Sequence, residues 1–166
     1  MTDAATMRAA LREHITGVAL VTSAPSSGPI GVTINSLTSI SLDPPTVLVC
    51  LARGSRGLAG IQSVGAYAVS VLTGAHQHIA TRFATNGLSQ QSRFHGLPTR
   101  TEVTGSPILI GAAAWFDCQL AEVQAIGTHA LLFGTVLSAG NGPGSDPPLA
   151  SYRGIVEPGS AAFEFV

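Results

Sequence analysis

Along residues 30–42 the chain alternates. Ile30, Val32, Ile34, Ile40 and Leu42 share one parity with Ser36 and Thr38; Gly31, Thr33, Asn35, Leu37, Ser39 and Ser41 take the other. A period of two marks an extended strand with one face in the core. The second parity carries no charge and is rich in hydroxyl and amide groups, which suit a neutral polar ligand better than bulk solvent. Upstream, "VALVTS" (18–23) reads as a strand and "APSSGP" (24–29) as a turn, so 18–42 is predicted to be an antiparallel hairpin. Asp43-Pro44-Pro45 stops it, because neither proline can donate to a ladder.

The remaining pattern fills in around this hairpin. Met7, Ala10, Leu11 and Ile15 recur at helical spacing behind a cap at Thr2 or Asp3, and Gly17 ends that helix. "TVLVCLA" (46–52) is a continuous apolar run, a strand buried on both faces. "RGSRG" (53–57) is a loop, "LAGIQSVG" (58–65) a short helix and "YAVSVL" (67–72) a strand. Thr73 caps a helix through Ala84, with Ile79 and Phe83 four apart on one face. Residues 86–106 read as loop, 112–125 and 129–138 as strands, 139–148 as loop, and the tail as partly extended. Six to eight antiparallel strands with two or three short helices predict a mainly β, closed barrel with helical additions. The section 46–72 is a candidate parallel crossover, but a doubly wound sheet would need several such units. No repeat or linker divides residues 1–166, which read as a single domain.

Composition changes the picture at the surface. Charged residues are 10% of the chain and apolar ones 45%, against about 25% charged in ordinary soluble domains. So few ionic groups point to a large subunit interface and hence a homodimer; a flexible or poorly soluble monomer is the rival reading. Net charge is −1, with arginine and no lysine, so there is no basic nucleic-acid footprint. No apolar run is long enough to span a membrane, and the N-terminus lacks a signal-peptide pattern, making the cytoplasm the expected location. Cys50 and Cys118 sit in apolar runs and read as buried free thiols. His76 and His78 are two apart on a helix and face apart, so no metal pair is expected. Asp117 lies in an apolar strand and reads as facing outward. No G-x-S-x-G elbow appears.

Candidate chemistry concentrates in "CLARGSRGLAGI". A buried strand ends, Ser55 is placed to cap a helix, and the N–H groups of residues 57 and 58 point outward beside Arg56. Free helix N–H groups, the dipole and a guanidinium together suit one phosphate; a capped helix with two solvated arginines is the plainer alternative. The glycines match neither glycine-rich nucleotide fingerprint. One strand, 46–52, joins this loop to the uncharged ribbon. A flat polar ring against the ribbon with its phosphate at the loop is a flavin-sized arrangement, although composition alone does not select flavin.

These segments resemble the short-chain flavin reductase family, NAD(P)H-dependent reductases with an FMN-binding antiparallel split β-barrel and short flanking helices. "GVALVTS", "GVTINSLTSISLDPPTVLVCLARGS", "YAVSVL", "IATRF", "RFHG" and "GTHALLFGTV" recur in family order over about residues 8 to 155. The resemblance implies hydride transfer from NADH or NADPH to FMN or FAD, with reduced flavin supplied to a separate monooxygenase. It implies that Thr33, Asn35, Ser36 and Ser39 hold the ring and ribityl portions, that Leu51 and Ala52 lie beside the ring, and that Ser55 and Arg56 meet the phosphate. Phe83 matches a position near the flavin, His129 the histidine where nicotinamide docks, and Tyr152 flanks that site. Two positions depart from the family pattern. Gly57 stands where a second hydroxyl is common, and Thr128 replaces the aspartate of Gly-Asp-His, removing the carboxylate expected to orient His129. A flavin carrier or sensor without turnover, and a split-barrel oxidoreductase acting directly on an organic substrate, stay open as alternatives.

Overall fold

A computed structural model describes residues 1–143 and 146–159. Its elements are α1 (Ala4–Leu11), β1 (Thr16–Gly17), β2 (Ala19–Ser23), β3 (Ile30–Ile34), β4 (Thr38–Leu42), β5 (Pro45–Ala52), α2 (Arg56–Val64) and β6 (Ala66–Val71). There follow a 3-10 turn (Gly74–His76), α3 (Gln77–Ala84), α4 (Gln90–Phe94), β7 (Thr99–Arg100) and β8 (Ile108–Leu109). The chain continues through β9 (Ala114–Ile126), β10 (His129–Asn141), β11 (Leu149–Tyr152) and β12 (Ile155–Pro158).

Seven strands form the main sheet in the order β3-β2-β6-β9-β10-β5-β4, each pairing antiparallel. Its two edges, β3 and β4, are joined by only Asn35, Ser36 and Leu37. Laid flat, seven strands would hold their edges about 29 Å apart at the usual strand spacing, whereas four Cα steps reach at most about 15 Å. The sheet must therefore curl until its edges nearly meet. Closure comes from the chain itself rather than from a hydrogen-bonded ladder, which makes this a split antiparallel barrel, mainly β with short flanking helices.

Ser36 fixes the split. The Cys50 N–H donates to Ser36 Oγ at 3.0 Å, and the Ser36 hydroxyl lies 3.2 Å from the Cys50 carbonyl, to which it donates. The β4–β5 register pairs Thr38 with Leu48, so Ser36 continues that ladder with its side chain where the backbone has turned away. The single returning strand predicted over 30–42 is thus two strands bound to different neighbours. Its apolar parity is also divided: Ile30 and Ile34 are buried, but Ile40 and Leu42 are 48% and 90% exposed.

The barrel core gathers Val21, Val49, Tyr67, Val69, Cys118 and Leu132, closed at one end by Ile61 of α2. A second cluster, with Leu20, Leu72, Ile79, Phe83 and Leu109, seats α3 on the outside of β2. All five residues of β2 are therefore buried. Helix α2 starts on Ser55 and ends on Gly65 in the left-handed region, φ 72°.

Several expectations are corrected. β5 and β6 are separated by β9 and β10 and run in opposite directions, so 46–72 is no parallel crossover. The stretch read as loop over 86–106 holds α4 and β7, and β10 runs on to Asn141. Asp117 is fully buried rather than outward; it accepts from the Thr104 N–H at 2.8 Å and from the Thr104 hydroxyl, which anchors the 101–107 segment. Cys50 and Cys118 are both free, but Cys50 is only half-buried. Helix α1 is capped by Asp3, as one of the two expected caps, yet buries none of its residues. Residues 144–145 of the predicted loop and 160–166 of the predicted tail lie outside the described residues. Among the described residues, no helix is long and apolar enough to cross a membrane.

Candidate functional site

Where β5 ends, the chain makes a tight turn into α2. The Ser55 N–H bonds the Ala52 carbonyl at 3.0 Å, and Ser55 Oγ accepts from the Leu58 N–H at 3.2 Å. Helix geometry leaves the N–H groups of Arg56 and Gly57 without intrahelical acceptors. Gly57 is buried, and a Cβ added there would stand 3.2 Å from Val32 Cγ1. The second hydroxyl that the resemblance led one to expect is thus replaced by a close approach of α2 to β3.

This helix start opens into a cavity of about 440 Å³ lined by Thr33, Ser55, Arg56, Phe83, Gln90 and Arg93, among others, with no carboxylate in its walls. Arg93, on α4, donates to the carbonyls of Phe83 and Thr85, each at 2.6 Å. Its Nε is buried without a partner. Burial, and then the neighbouring Arg56, push the Arg93 guanidinium below its ordinary pKa. Arg56 is exposed and makes no hydrogen bond or ion pair among the described residues. Two guanidiniums sharing a cavity without a counter-charge form an anion site. The Thr33 hydroxyl donates to the Ala80 carbonyl at 2.7 Å, which leaves its oxygen only as an acceptor toward the cavity. Phe83 is buried, edge-to-face with Phe94 at 5.1 Å, and Gly31 gives its ring room.

The other expected residues are placed apart from this group. Asn35 and Ser36 line a separate cavity of about 620 Å³ with Leu11, His14, Thr16 and Cys50. The Ser36 hydroxyl is committed to Cys50, and burial raises the Cys50 thiol pKa. Ser39 is exposed and pairs with Val47 on the β4 edge. Leu51 belongs to the barrel core, whereas Ala52 is exposed and pairs with His129 across β5 and β10.

His129 sits at the start of β10, just after a turn with Gly127 at φ 56°. That turn is tied to the β5–α2 loop, since the Arg53 N–H bonds the Thr128 carbonyl at 3.0 Å and the Arg53 guanidinium reaches the Gly127 carbonyl at 3.3 Å. Thr128 Oγ1 lies 2.9 Å from His129 Nδ1. A neutral hydroxyl therefore orients the ring where a carboxylate was expected. Tyr152 stands in the small β1-β11-β12 sheet, donating to Glu13 at 3.2 Å with Arg153 5.0 Å from its ring. Its contacts are with the N-terminal segment, not with His129.

Arg93 and Gln90 were not among the residues singled out from the sequence. A cap signal was present: Ser89 Oγ accepts from the Ser92 N–H at 3.1 Å and starts α4. What no local pattern shows is that Gln90 then bonds both the N–H and the carbonyl of Gly31, at 3.0 and 3.3 Å, and so covers the edge of β3.

The family model described as the flavin reductase like domain matches residues 11–160. The reductase subunit HsaB of the flavin-dependent monooxygenase of Mycobacterium tuberculosis is 35% identical over 153 residues, covering 92% of this chain and 80% of that protein. Among solved structures, the NADH:FAD oxidoreductase SgcE6 of Streptomyces globisporus, in complex with NAD and FAD fragments, superposes with a TM-score of 0.87. It is 28% identical, over 98% of this chain and 96% of that one. The styrene monooxygenase flavin reductase SMOB of Pseudomonas putida S12 superposes with a TM-score of 0.80 at 29% identity, over 93% of this chain and 97% of that one.

Proposed function

This chain belongs to the flavin reductase like family, and from that premise we propose that it reduces FMN or FAD with NADH or NADPH and supplies the reduced flavin to a separate monooxygenase. The observation that carries the reading is the cavity at the start of α2, where Arg56 and Arg93 face one space with Ser55 and Thr33 and no carboxylate opposes them. The buried, unpartnered Nε of Arg93 fits a group that brings its own phosphate.

In this reading Ser55, Arg56 and the N–H groups of Arg56 and Gly57 hold the phosphate, with Arg93 beside them. Thr33 and Phe83 wall the ribityl end. Asn35, whose amide has no internal hydrogen bond among the described residues, meets the polar edge of the ring together with Ser36 and Ser39; Leu51 and Ala52 back it. The flavin supplies the hydride-accepting ring. The protein positions it, and His129, held by Thr128 at the mouth of the β5–α2 turn, positions the nicotinamide. No side chain is asked to remove a proton.

A homodimer is part of the proposal, supported by the apolar groups that α1 and β4 leave exposed. The two free cysteines suit a reducing compartment such as the cytoplasm. The test is anaerobic addition of NADH to a trace of protein in excess FMN. Bleaching of the flavin band over many turnovers is expected. Reduction of no more flavin than there is protein would make the chain a carrier instead.

A further inference from the structure

His129 begins β10 at the tip of an arm that β9 and β10 carry past the rest of the sheet. On the β6 side, β9 is paired as far as Gln119, and the Leu120 N–H then bonds the Gly65 carbonyl at 2.9 Å. Ala121 is skipped in the register, and among the described residues 122–126 pair with β10 alone. On its other side β10 pairs with β5 up to one last couple, His129 with Ala52. A two-stranded ribbon is marginal in water unless something else holds it.

Two tight turns meet at that last couple. On β5 the Ser55 N–H bonds the Ala52 carbonyl at 3.0 Å, which makes Arg53 and Gly54 the corners of a turn whose final residue caps α2. On the arm, Gly127 and Thr128 form the two-residue link between Ile126 and His129, and Gly127 at φ 56° supplies its left-handed corner. Packing wedges neither turn. A Cβ added at Gly54 or Gly127 would meet nothing within 4 Å, and Arg53, Gly127, Thr128 and His129 are all exposed. Arg53 is what joins them. Its N–H donates to the Thr128 carbonyl at 3.0 Å and its guanidinium to the Gly127 carbonyl at 3.3 Å, so both carbonyls of the link end on one residue.

The turn that fastens the arm is also the turn that presents Ser55 to the anion cavity. A phosphate held by the Ser55 hydroxyl and the free N–H groups of α2 restrains this turn and, through Arg53, the tip that carries His129. A coupling of this kind is reciprocal: the anion steadies the tip, and an occupied tip favours the anion.

We propose that Arg53 is a positioning residue for the nicotinamide: it fastens the tip bearing His129 to the β5–α2 turn, so that a flavin phosphate at Ser55 tightens nicotinamide binding. This rests on the reading above that the phosphate lies at Ser55 and Arg56 and the nicotinamide at His129.

The test compares the wild type with Arg53→Ala, which keeps the main-chain bond, and Arg53→Lys, which keeps a cation able to reach one carbonyl. KM for NADH is measured with saturating FMN and with saturating riboflavin, the same ring without a phosphate. The wild-type KM should be about fivefold lower with FMN than with riboflavin. Arg53→Ala should raise the FMN-supported KM about fivefold, the worth of one ordinary hydrogen bond, keep kcat within about twofold and remove the difference between the flavins. Arg53→Lys should recover most of the loss. The FMN dissociation constant, read by fluorescence titration, should move by less than about twofold in either variant. Hydrogen exchange on the peptide covering residues 126–129 needs no turnover and should be faster in Arg53→Ala than in the wild type. Unchanged exchange at the tip, an unchanged KM, or equal wild-type KM values with the two flavins overturns the proposal and leaves the flavin reading intact. So does a rise in the FMN dissociation constant that matches the rise in KM, since Arg53 would then grip the phosphate itself. A wild type that reduces neither flavin would instead defeat the functional reading, and exchange at the tip alone would decide whether Arg53 fastens it.

Discussion

Arg93 commits two of its three guanidinium nitrogens to backbone carbonyls and keeps the third buried and unpaired beside Arg56. The two arginines should therefore respond differently to substitution. Arg56→Ala removes a charge that makes no hydrogen bond or ion pair among the described residues, so its thermal midpoint should stay within about 2 °C of wild type while FMN affinity falls about tenfold. Arg93→Ala should lower both, because the carbonyls of Phe83 and Thr85 lose a charged donor. Calorimetry paired with flavin titration separates these outcomes, and a stable Arg93→Ala protein with full affinity would remove Arg93 from the site. His129 bears on the other reactant. His129→Ala should raise KM for NADH and leave the FMN dissociation constant unchanged, with Thr128→Val giving a smaller shift in the same direction. A matching loss of FMN affinity would assign His129 to the flavin instead. Ser55 and Arg56 were legible because capping is a local code carried within four residues. Arg93 was not, because its partner lies across a helix contact that the sequence does not announce.

Among the elements, the same distinction between local and long-range information explains what the sequence disclosed. Helix α2 could be placed from its own residues, with Ser55 recognised as its cap, although the stretch read as helix, 58–65, starts two residues late and takes in the capping Gly65. The two strands β3 and β4 were read as one because Ile30–Ile34 and Ile40–Leu42 keep the same parity, although the alternation lapses at Ser36, Leu37 and Thr38, where the break falls. What divides them is pairing: β3 is claimed by β2 and β4 by β5, at opposite edges of a curled sheet. The uncharged polar residues of this stretch turn out to be divided among different duties, with Thr33 tied to α3, Ser36 of the apolar parity tied to β5, and Asn35 without a side-chain hydrogen bond among the described residues. Ser36→Ala tests the structural share of that set. It strips the Cys50 N–H and carbonyl of their partner in a half-buried place, which should cost about 1–3 kcal/mol. Urea unfolding should show a lower midpoint with an unchanged slope. A midpoint equal to wild type would mean that Ser36 does not pin the split.

At the scale of the whole molecule, the scarcity of charge finds its place on one set of surfaces. Helix α1 buries nothing, and its Met7 and Leu11 stand 55% and 56% exposed. β4 is a sheet edge without a single charged residue, with Leu42 almost fully open to solvent. Natural edge strands are usually guarded by charge, proline, a bulge or a covering element; among the described residues β4 has only the irregularity between Ser39 and Ser41. With a net charge of −1, two copies of the chain scarcely repel one another, so a second copy is the readiest cover. Light scattering at micromolar concentration should give twice the chain mass of 16.9 kDa. The double substitution Ile40→Glu with Leu42→Glu should give the single mass, because it places like charges on a strand that has to meet another surface. Both side chains are exposed in the single chain, so the fold itself should lose little. A wild type that scatters as a monomer would leave the apolar edge unexplained by self-association and would remove the dimer from the functional reading.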